Sequence, residues 1–332
     1  MSTEQTNARL VALWQAVDSL LAQATLSGIL ADKLGPLAAN RLRRLGEPVP
    51  EALVLEQRAS SLSMLAGVRL IERVRASCEG PLLLIKGPEV ARLYPGRARR
   101  FRDIDVLTDN AEAVQRALLA QGFVEVDDPD LDVLPEHHLP PLQWPTIGIE
   151  VEVHTSPNWP RHGRRPPLRE ILDASVPSCL NIGGVSTPAP LHHSLILASH
   201  AWQHEPLRTL RDLIDIAAVS AHADEYELDL TAEAWGVGRL WRTTNRAIEA
   251  TFYGGRKTLP LRSWARHLES VRERSRVESY LEWLSHGFWG MPLHMAPLET
   301  LLDCSASNQV AGARRGSYAS AAVPTPLPAP RR

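Results

Sequence analysis

Two long stretches near the N-terminus repeat apolar residues every three or four positions. Residues 8–30 and 52–77 both show this spacing, which is typical of amphipathic helices. The segment 46–50, Gly-Glu-Pro-Val-Pro, separates them because glycine and two prolines interrupt a helix. The pattern therefore predicts an N-terminal helical region over residues 1–78 that packs against the rest of the chain.

The C-terminal third repeats the helical pattern. A helical domain is expected over residues 190–303, with apolar stripes at 191–204, 207–222, 232–252 and 274–285. After it, residues 304–332 are rich in alanine, serine, proline, glycine and arginine. Because this segment has too few apolar groups to offset the entropy of ordering, we expect a disordered tail.

The intervening residues 79–189 show strand patterns instead. Residues 82–85 form a short apolar run that predicts a buried strand, and Gly87 then allows a sharp turn. Pro88 suits the first position of a helix. Residues 102–107 and 147–154 alternate between charged and apolar side chains, which predicts strands with one buried face.

Acidic side chains share a face in both alternating strands. Asp103 and Asp105 point to the same side because side chains alternate along a strand. Two carboxylates this close repel each other unless a cation lies between them, and hard oxygen ligands suit Mg²⁺. Glu150, Glu152 and His154 form the polar face of the later strand. His137 and His138 are discounted as a metal pair, because neighbouring strand residues face opposite ways.

A strand, a glycine turn into a helix and an Asp-x-Asp strand together resemble the nucleotidyltransferase superfamily typified by DNA polymerase β. Lys-Gly-Pro at 86–88, followed by Arg-x-x-Asp-Ile-Asp-Val-Leu at 100–107, is most similar to its free-standing bacterial branch, and the resemblance spans residues 10–255. It implies an α+β fold: a polymerase β-like core, with a small mixed sheet and helices, flanked by N- and C-terminal helical regions.

The resemblance also implies the chemistry of the site. Two Mg²⁺ ions would be held by Asp103 and Asp105, with Glu152 as the third ligand and Glu150 as its competitor. These three acids, Asp103, Asp105 and Glu152, are the expected catalytic residues. A nucleoside triphosphate would contact Lys86, Gly87, Arg99 and Arg102. The superfamily often has a serine after its glycine, whereas Pro88 offers neither a hydroxyl nor an N–H. Lys86 or Arg102 is therefore expected to bind the phosphates.

A later stretch resembles the helical domain that follows the core in the same branch. It contains His-x-x-x-His at 200 and 204 and continues into the segment 210–217. Because helices with apolar stripes need a partner face, we expect the two helical regions to flank the core and form an acceptor cleft opposite the aspartates. The candidate substrate-binding residues are His154, His200, His204, Arg211 and Asp215. Arg208 and Arg211 are the expected ion-pair partners of Asp212 and Asp215.

Composition narrows the function classes. The net charge is −2, so nothing attracts nucleic acid globally, and nucleic acid is the less favoured partner. Three scattered cysteines argue against a disulfide framework. No apolar leader or membrane-spanning run is present, so we expect no membrane partner and a cytoplasmic location. Lys33, Lys86 and Lys257 are the only lysines.

These features predict a metal-dependent nucleotidyltransferase. It would move a nucleoside monophosphate from a nucleoside triphosphate to an acceptor, either a small molecule or a peptide product, and release pyrophosphate. A toxin-like enzyme that modifies RNA and a non-catalytic nucleotide-binding scaffold are the alternatives. The RNA-modifying enzyme would require a basic surface. The scaffold would not need magnesium-dependent nucleotide binding.

Overall fold

The computed structural model describes residues 2–126, 137–160, 163–204, 207–263, 265–285, 287–291 and 293–296. The predicted tail at 304–332 lies outside the described residues. No helix in these ranges is both long and apolar enough to cross a bilayer.

The N-terminal region is helical, as predicted. Its helices are α1 (Thr3–Ala22), α2 (Leu26–Ala31), α3 (Gly35–Arg44) and α4 (Glu51–Ala76). The stripe over 8–30 is divided between α1 and α2, because the Thr25 hydroxyl accepts a hydrogen bond from the Gly28 N–H and caps a new helix. Helix α3 was not predicted.

The core contains one mixed sheet. Its strands are β1 (Leu82–Leu84), β2 (Asp103–Leu107), β3 (Val124–Glu125), β4 (Leu142–Gln143), β5 (Glu150–His154), β6 (Val176–Pro177) and β7 (Val185–Thr187). They are ordered β3-β4-β5-β2-β1-β7-β6 in the sheet. The connecting helices are α5 (Pro88–Ala91), α6 (Ala111–Ala120) and α7 (Leu168–Asp173). The predicted α+β class with a mixed sheet is confirmed.

The central strands bring distant segments of the chain together. Strand β2 runs parallel to β5 on one side and antiparallel to β1 on the other. Asp103 lies opposite Glu150, and Asp105 lies opposite Glu152. Because the strands are parallel and in this register, four carboxylate residues share one face of the sheet.

The C-terminal region is also helical. Its helices are α8 (Pro190–His204), α9 (Leu210–Ser220), α10 (Glu225–Ala234), α11 (Gly238–Phe252), α12 (Leu259–Ser263), α13 (Arg276–Ser285) and α14 (Gly287–Gly290). The prediction of one helix over 232–252 is wrong at its start. Gly236 has a φ of +71°, which ends α10 and separates it from α11.

Apolar residues pack on both faces of the sheet. On one face, Leu83 and Ile85 join a core that also contains residues from both helical regions, such as Leu13 and Leu213. On the other face, residues of β2 and β5 pack with the C-terminal half of α4 and with α6. The helical regions therefore cover one face together, and this arrangement places them beside the acidic strands.

Candidate active site

Strands β2 and β5 position the acidic residues through alternation. Ile104, Val106, Val151 and Val153 are fully buried in the core, so the residues between them face the other way. That opposite face carries the acids, which are Asp103, Asp105, Glu150 and Glu152. The predicted shared face is confirmed.

Asp105, Glu152 and His154 form a compact group. Each offers a ligand atom, and these atoms all lie within 4.8 Å of one another. The His154 Nε2 lies 3.1 Å from an Asp105 oxygen and 3.4 Å from a Glu152 oxygen. The second Asp105 oxygen is buried and has no hydrogen-bond partner in the described structure. An unsatisfied buried carboxylate oxygen is costly, and a bound cation would satisfy it.

The pKa values of the two aspartates are shifted in opposite directions. Burial raises the pKa of Asp103, and the nearby Asp105 carboxylate raises it further. Burial also acts to raise the pKa of Asp105, but Lys86 and the hydrogen bond from His154 outweigh it and hold that pKa well below its usual range. Burial lowers the pKa of His154, yet hydrogen bonds to Asp105 and Glu152 raise it to about 9. The group thus concentrates negative charge that is only partly neutralised.

The residue types fit a divalent metal ion. Carboxylate oxygens bind Mg²⁺, Mn²⁺ and other divalent ions, and an imidazole nitrogen suits transition metals. Among the described residues, this compact group includes Glu152 and not Glu150 or Asp103. That geometry favours Glu152 over its competitor as a ligand, and it leaves Asp103 on the open side of the site.

The glycine turn closes against the acidic strand. Gly87 has a φ of +63°, and a Cβ built there would lie 3.1 Å from the Asp103 carbonyl oxygen. Any other residue would be strained in this conformation and crowded against β2. Gly87 therefore holds Lys86 and the start of α5 beside the aspartates.

A cavity of about 690 Å³ opens next to Asp103. The core and both helical regions contribute to its walls, so the predicted cleft is confirmed in its geometry. Asp103, His200 and Arg211 all line it, whereas the His204 side chain lies outside the described residues. Its charged lining residues are Lys33, Glu56, Lys86, Arg99, Arg100, Arg102, Asp103, Arg208, Arg211, Asp212 and Asp215.

Arg99 and Asp215 form a buried ion pair across this cavity wall. The Arg99 Nε and Nη2 donate to the two Asp215 oxygens at 2.8 and 2.6 Å, and the Tyr94 hydroxyl donates at 2.5 Å. Burial lowers the pKa of Arg99, but Asp215 raises it by more. The expected pairing of Asp215 with Arg208 or Arg211 is wrong, since Arg99 takes that place. Asp212 lies 3.6 Å from Arg211.

Arg100 and Arg102, which also lie beside the aspartates, differ in their contacts. Arg100 forms an ion pair with Glu56, and Arg102 is exposed at the cavity. Asp103 has neither a side-chain hydrogen bond nor an ion pair with another described residue. The charges of Asp105, Lys86, Glu152 and Arg99 nevertheless act on its pKa, the two acids raising it and the two cations lowering it.

Two histidines that were discounted as a metal pair lie beside the site, although the compact group does not include them. The rings of His137 and His138 lie 5.6 and 5.4 Å from the ring of His154, and His138 pairs with His154 through an antiparallel bridge. Neighbouring residues face opposite ways in a regular strand. Residues 137 and 138 are not in such a strand, because the backbone here meets β5 through a single bridge between His138 and His154. In the sequence, only the adjacent pair His137-His138 could have indicated that these rings lie near the site.

Comparison with known proteins gives one family. The sequence profile of a family described as uncharacterised nucleotidyltransferase matches residues 13–250. This match includes α4, the whole sheet and the C-terminal helices α8, α9 and α10, with α11 up to residue 250. No curated protein matches the chain.

Proposed function

Because the chain belongs to this uncharacterised nucleotidyltransferase family, we propose that it moves a nucleoside monophosphate from a nucleoside triphosphate to an acceptor and releases pyrophosphate. One observation carries the proposal. The group of Asp105, Glu152 and His154 lies behind a cavity that Asp103 lines. Acidic ligands beside a basic cavity match the needs of a metal-bound triphosphate.

We assign the metal ligands to Asp103, Asp105 and Glu152, with two Mg²⁺ ions as the resemblance implies. Bound there, the ions would neutralise charge on the phosphates and activate the acceptor oxygen. His154 contacts both Asp105 and Glu152, so its proposed role is to orient these two carboxylates.

For the triphosphate, we propose contacts with Lys86 and Arg102. Both line the cavity next to Asp103, and Gly87 allows the backbone before α5 to approach the same place. Arg99 was a candidate for the same role, but its guanidinium is bidentate to Asp215. Its proposed role is to fix the cavity wall, while Lys86 and Arg102 supply the charge that Pro88 cannot.

The acceptor would enter between the helical regions and the aspartates. His200 and Arg211 line that part of the cavity, and the size of the cavity is in the range that accommodates small molecules. A small molecule or the end of a peptide product is therefore the proposed acceptor class.

Substituting Asp103 with asparagine tests the proposal. The change keeps the shape and removes one charge, so magnesium-dependent binding of a triphosphate should weaken. Transfer of label from triphosphates to components of a cell extract should fall on the order of a hundredfold, the scale of losing one strong electrostatic contact in a transition state. The fold should survive, because Asp103 has like-charged neighbours and forms no ion pair with the residues that the structure describes.

Asp109→Asn is the matched control, since Asp109 is exposed just after β2 and does not line the cavity. It should leave binding and transfer unchanged. Unchanged nucleotide binding in Asp103→Asn, together with a lower melting temperature, would count decisively against the catalytic assignment. Absence of magnesium-dependent nucleotide binding in the wild-type chain would favour the non-catalytic scaffold instead.

A further inference from the structure

The turn after α2 holds a lysine where glycine is usual. The Leu34 N–H donates to the Ile29 carbonyl at 2.9 Å, and the Lys33 N–H donates to the Leu30 carbonyl at 3.1 Å. These two bonds define the Schellman ending of a helix, and Lys33 occupies its left-handed position with a φ of +57°. A side chain at this position crowds the backbone, so the lysine needs a reason outside the turn.

A buried hydrogen bond joins this turn to the start of α9. The Asp32 carboxylate accepts from the Leu210 N–H at 2.9 Å, and both residues are buried. This bond brings Lys33 and Arg211 to the same cavity. Arg211 donates to the Arg100 carbonyl at 3.4 Å, while its Nε is buried without a hydrogen-bond partner in the described part of the chain.

Positive charge is in excess at this cavity. Of the described side chains that line it, seven are basic and four are acidic. Two of the acids, Asp215 and Glu56, are engaged by Arg99 and Arg100. Partial burial and the nearby Arg211 lower the pKa of Lys33, whereas Asp212, which lies 3.6 Å from Arg211, raises it. One carboxylate therefore faces two cations that repel each other. An anion between them would relieve that repulsion.

The choice of lysine points the same way. The chain has 36 lysine and arginine residues but only three lysines, Lys33, Lys86 and Lys257. Two of the three line this one cavity. An ammonium is a compact point charge that suits phosphate oxygens, and a guanidinium adds directed donors beside it.

We propose that Lys33 and Arg211 form an anion subsite that holds a phosphate group of the acceptor, distinct from the triphosphate. This inference rests on the proposed nucleotidyl transfer. In-line transfer places the acceptor and the leaving pyrophosphate on opposite sides of the transferred phosphorus. Lys86 and Arg102 belong to the core beside Asp103, whereas Lys33 and Arg211 belong to the helical regions, so two sets of cations match two separate anions.

Lys33→Gly provides a clean test, because glycine is the residue that the turn favours. The variant should melt at the same temperature as the wild-type chain or higher. Inorganic phosphate is titrated calorimetrically into the full chain, saturated with Mg²⁺ and α,β-methylene ATP. We expect Lys33→Gly to weaken phosphate binding at least tenfold and to change the affinity for the nucleotide analogue less than twofold. Arg211→Gln should act in the same direction.

Lys257→Gly is the matched control, since it removes an exposed lysine that does not line the cavity. It should leave both affinities unchanged. The subsite is refuted if the wild-type chain does not bind phosphate, or if Lys33→Gly binds it as well as the wild type does. It is also refuted if phosphate competes with the analogue and Lys33→Gly weakens both equally, because the cations would then hold the triphosphate.

Failure of the proposed function gives a different result. If α,β-methylene ATP does not bind the wild-type chain, nucleotidyl transfer loses its support. Phosphate titrations of the wild type and Lys33→Gly without nucleotide then still decide whether the anion subsite exists.

Discussion

Asp103 and Asp105 are two residues apart on β2, yet their surroundings differ. Asp105 is buried and contacts His154, while Asp103 is half-buried and lines the cavity. The sequence alone predicted that they share a face, because alternation along a strand is a local property. It could not predict that, of the two aspartates, Asp105 would contact His154, since that contact joins residues 49 positions apart.

At the same scale, removing one partner of the Arg99–Asp215 pair should be strongly destabilising. Arg99→Met leaves the Asp215 carboxylate buried beside Tyr94 without its cation. Breaking a buried pair in this way costs about 3–5 kcal/mol, so urea-induced unfolding should shift by that free energy.

Arg58→Met is the control for this prediction, because Arg58 is exposed on α4. The double variant Arg99→Met/Asp215→Asn should recover part of the loss, since no unpaired buried charge remains. If Arg99→Met lowers the free energy of unfolding by less than about 1 kcal/mol, which is the range of exposed ion pairs, the prediction for the Arg99–Asp215 pair is wrong.

At the scale of elements, long periodic segments were predictable and short ones were not. Helices α4, α8 and α9 lie where the apolar stripes indicated, because each buries a continuous face. Strand β4 has only two residues and depends on its neighbours β3 and β5, so no local pattern indicates it. Helix α3 was missed because its arginine-rich C-terminal half masks a short buried start.

The buried hydrogen bond from the Leu210 N–H of α9 to Asp32, which follows α2, predicts a pH dependence of stability. Burial raises the pKa of Asp32 to about 6, although the hydrogen bond from Leu210 and the charge of Arg274 lower it and Asp212 raises it. The folded state then binds the proton more tightly than the unfolded state. Stability from this group is present below pH 4 and is lost as the pH rises through 6, by about 3 kcal/mol in total.

Asp32→Asn should remove that loss. An asparagine oxygen still accepts the Leu210 N–H and carries no charge to desolvate. We expect the variant to be more stable than the wild type at pH 8, with the difference shrinking toward pH 4 in urea unfolding curves. Equal stability at both pH values would show that Asp32 titrates normally.

At the scale of the whole molecule, charge is arranged locally. The net charge of −2 conceals a cavity whose described lining has three more basic than acidic side chains. Composition gives only the net charge, so it could not indicate where the basic residues gather. Gathering them requires α2, the core and α9 to meet, which is a property of tertiary structure.

The last prediction is that the regions 1–78, 79–189 and 190–303 unfold together. One apolar core contains Leu13 of α1, Leu83 of β1 and Leu213 of α9, all fully buried, and α1 contacts both α9 and α11. No region can then keep its buried surface without the others. Scanning calorimetry should show one transition, with a van't Hoff enthalpy close to the calorimetric one.

Leu13→Ala is the sharpest form of this test. It should lower the free energy of unfolding by about 2–5 kcal/mol, because it leaves a cavity in the shared core. If the regions are coupled, the single transition moves to lower temperature as a whole. Val11→Ala on the exposed face of α1 should leave the transition where it is. A second transition that appears only in Leu13→Ala, with the remainder melting as before, would show that the N-terminal helices are an independent unit.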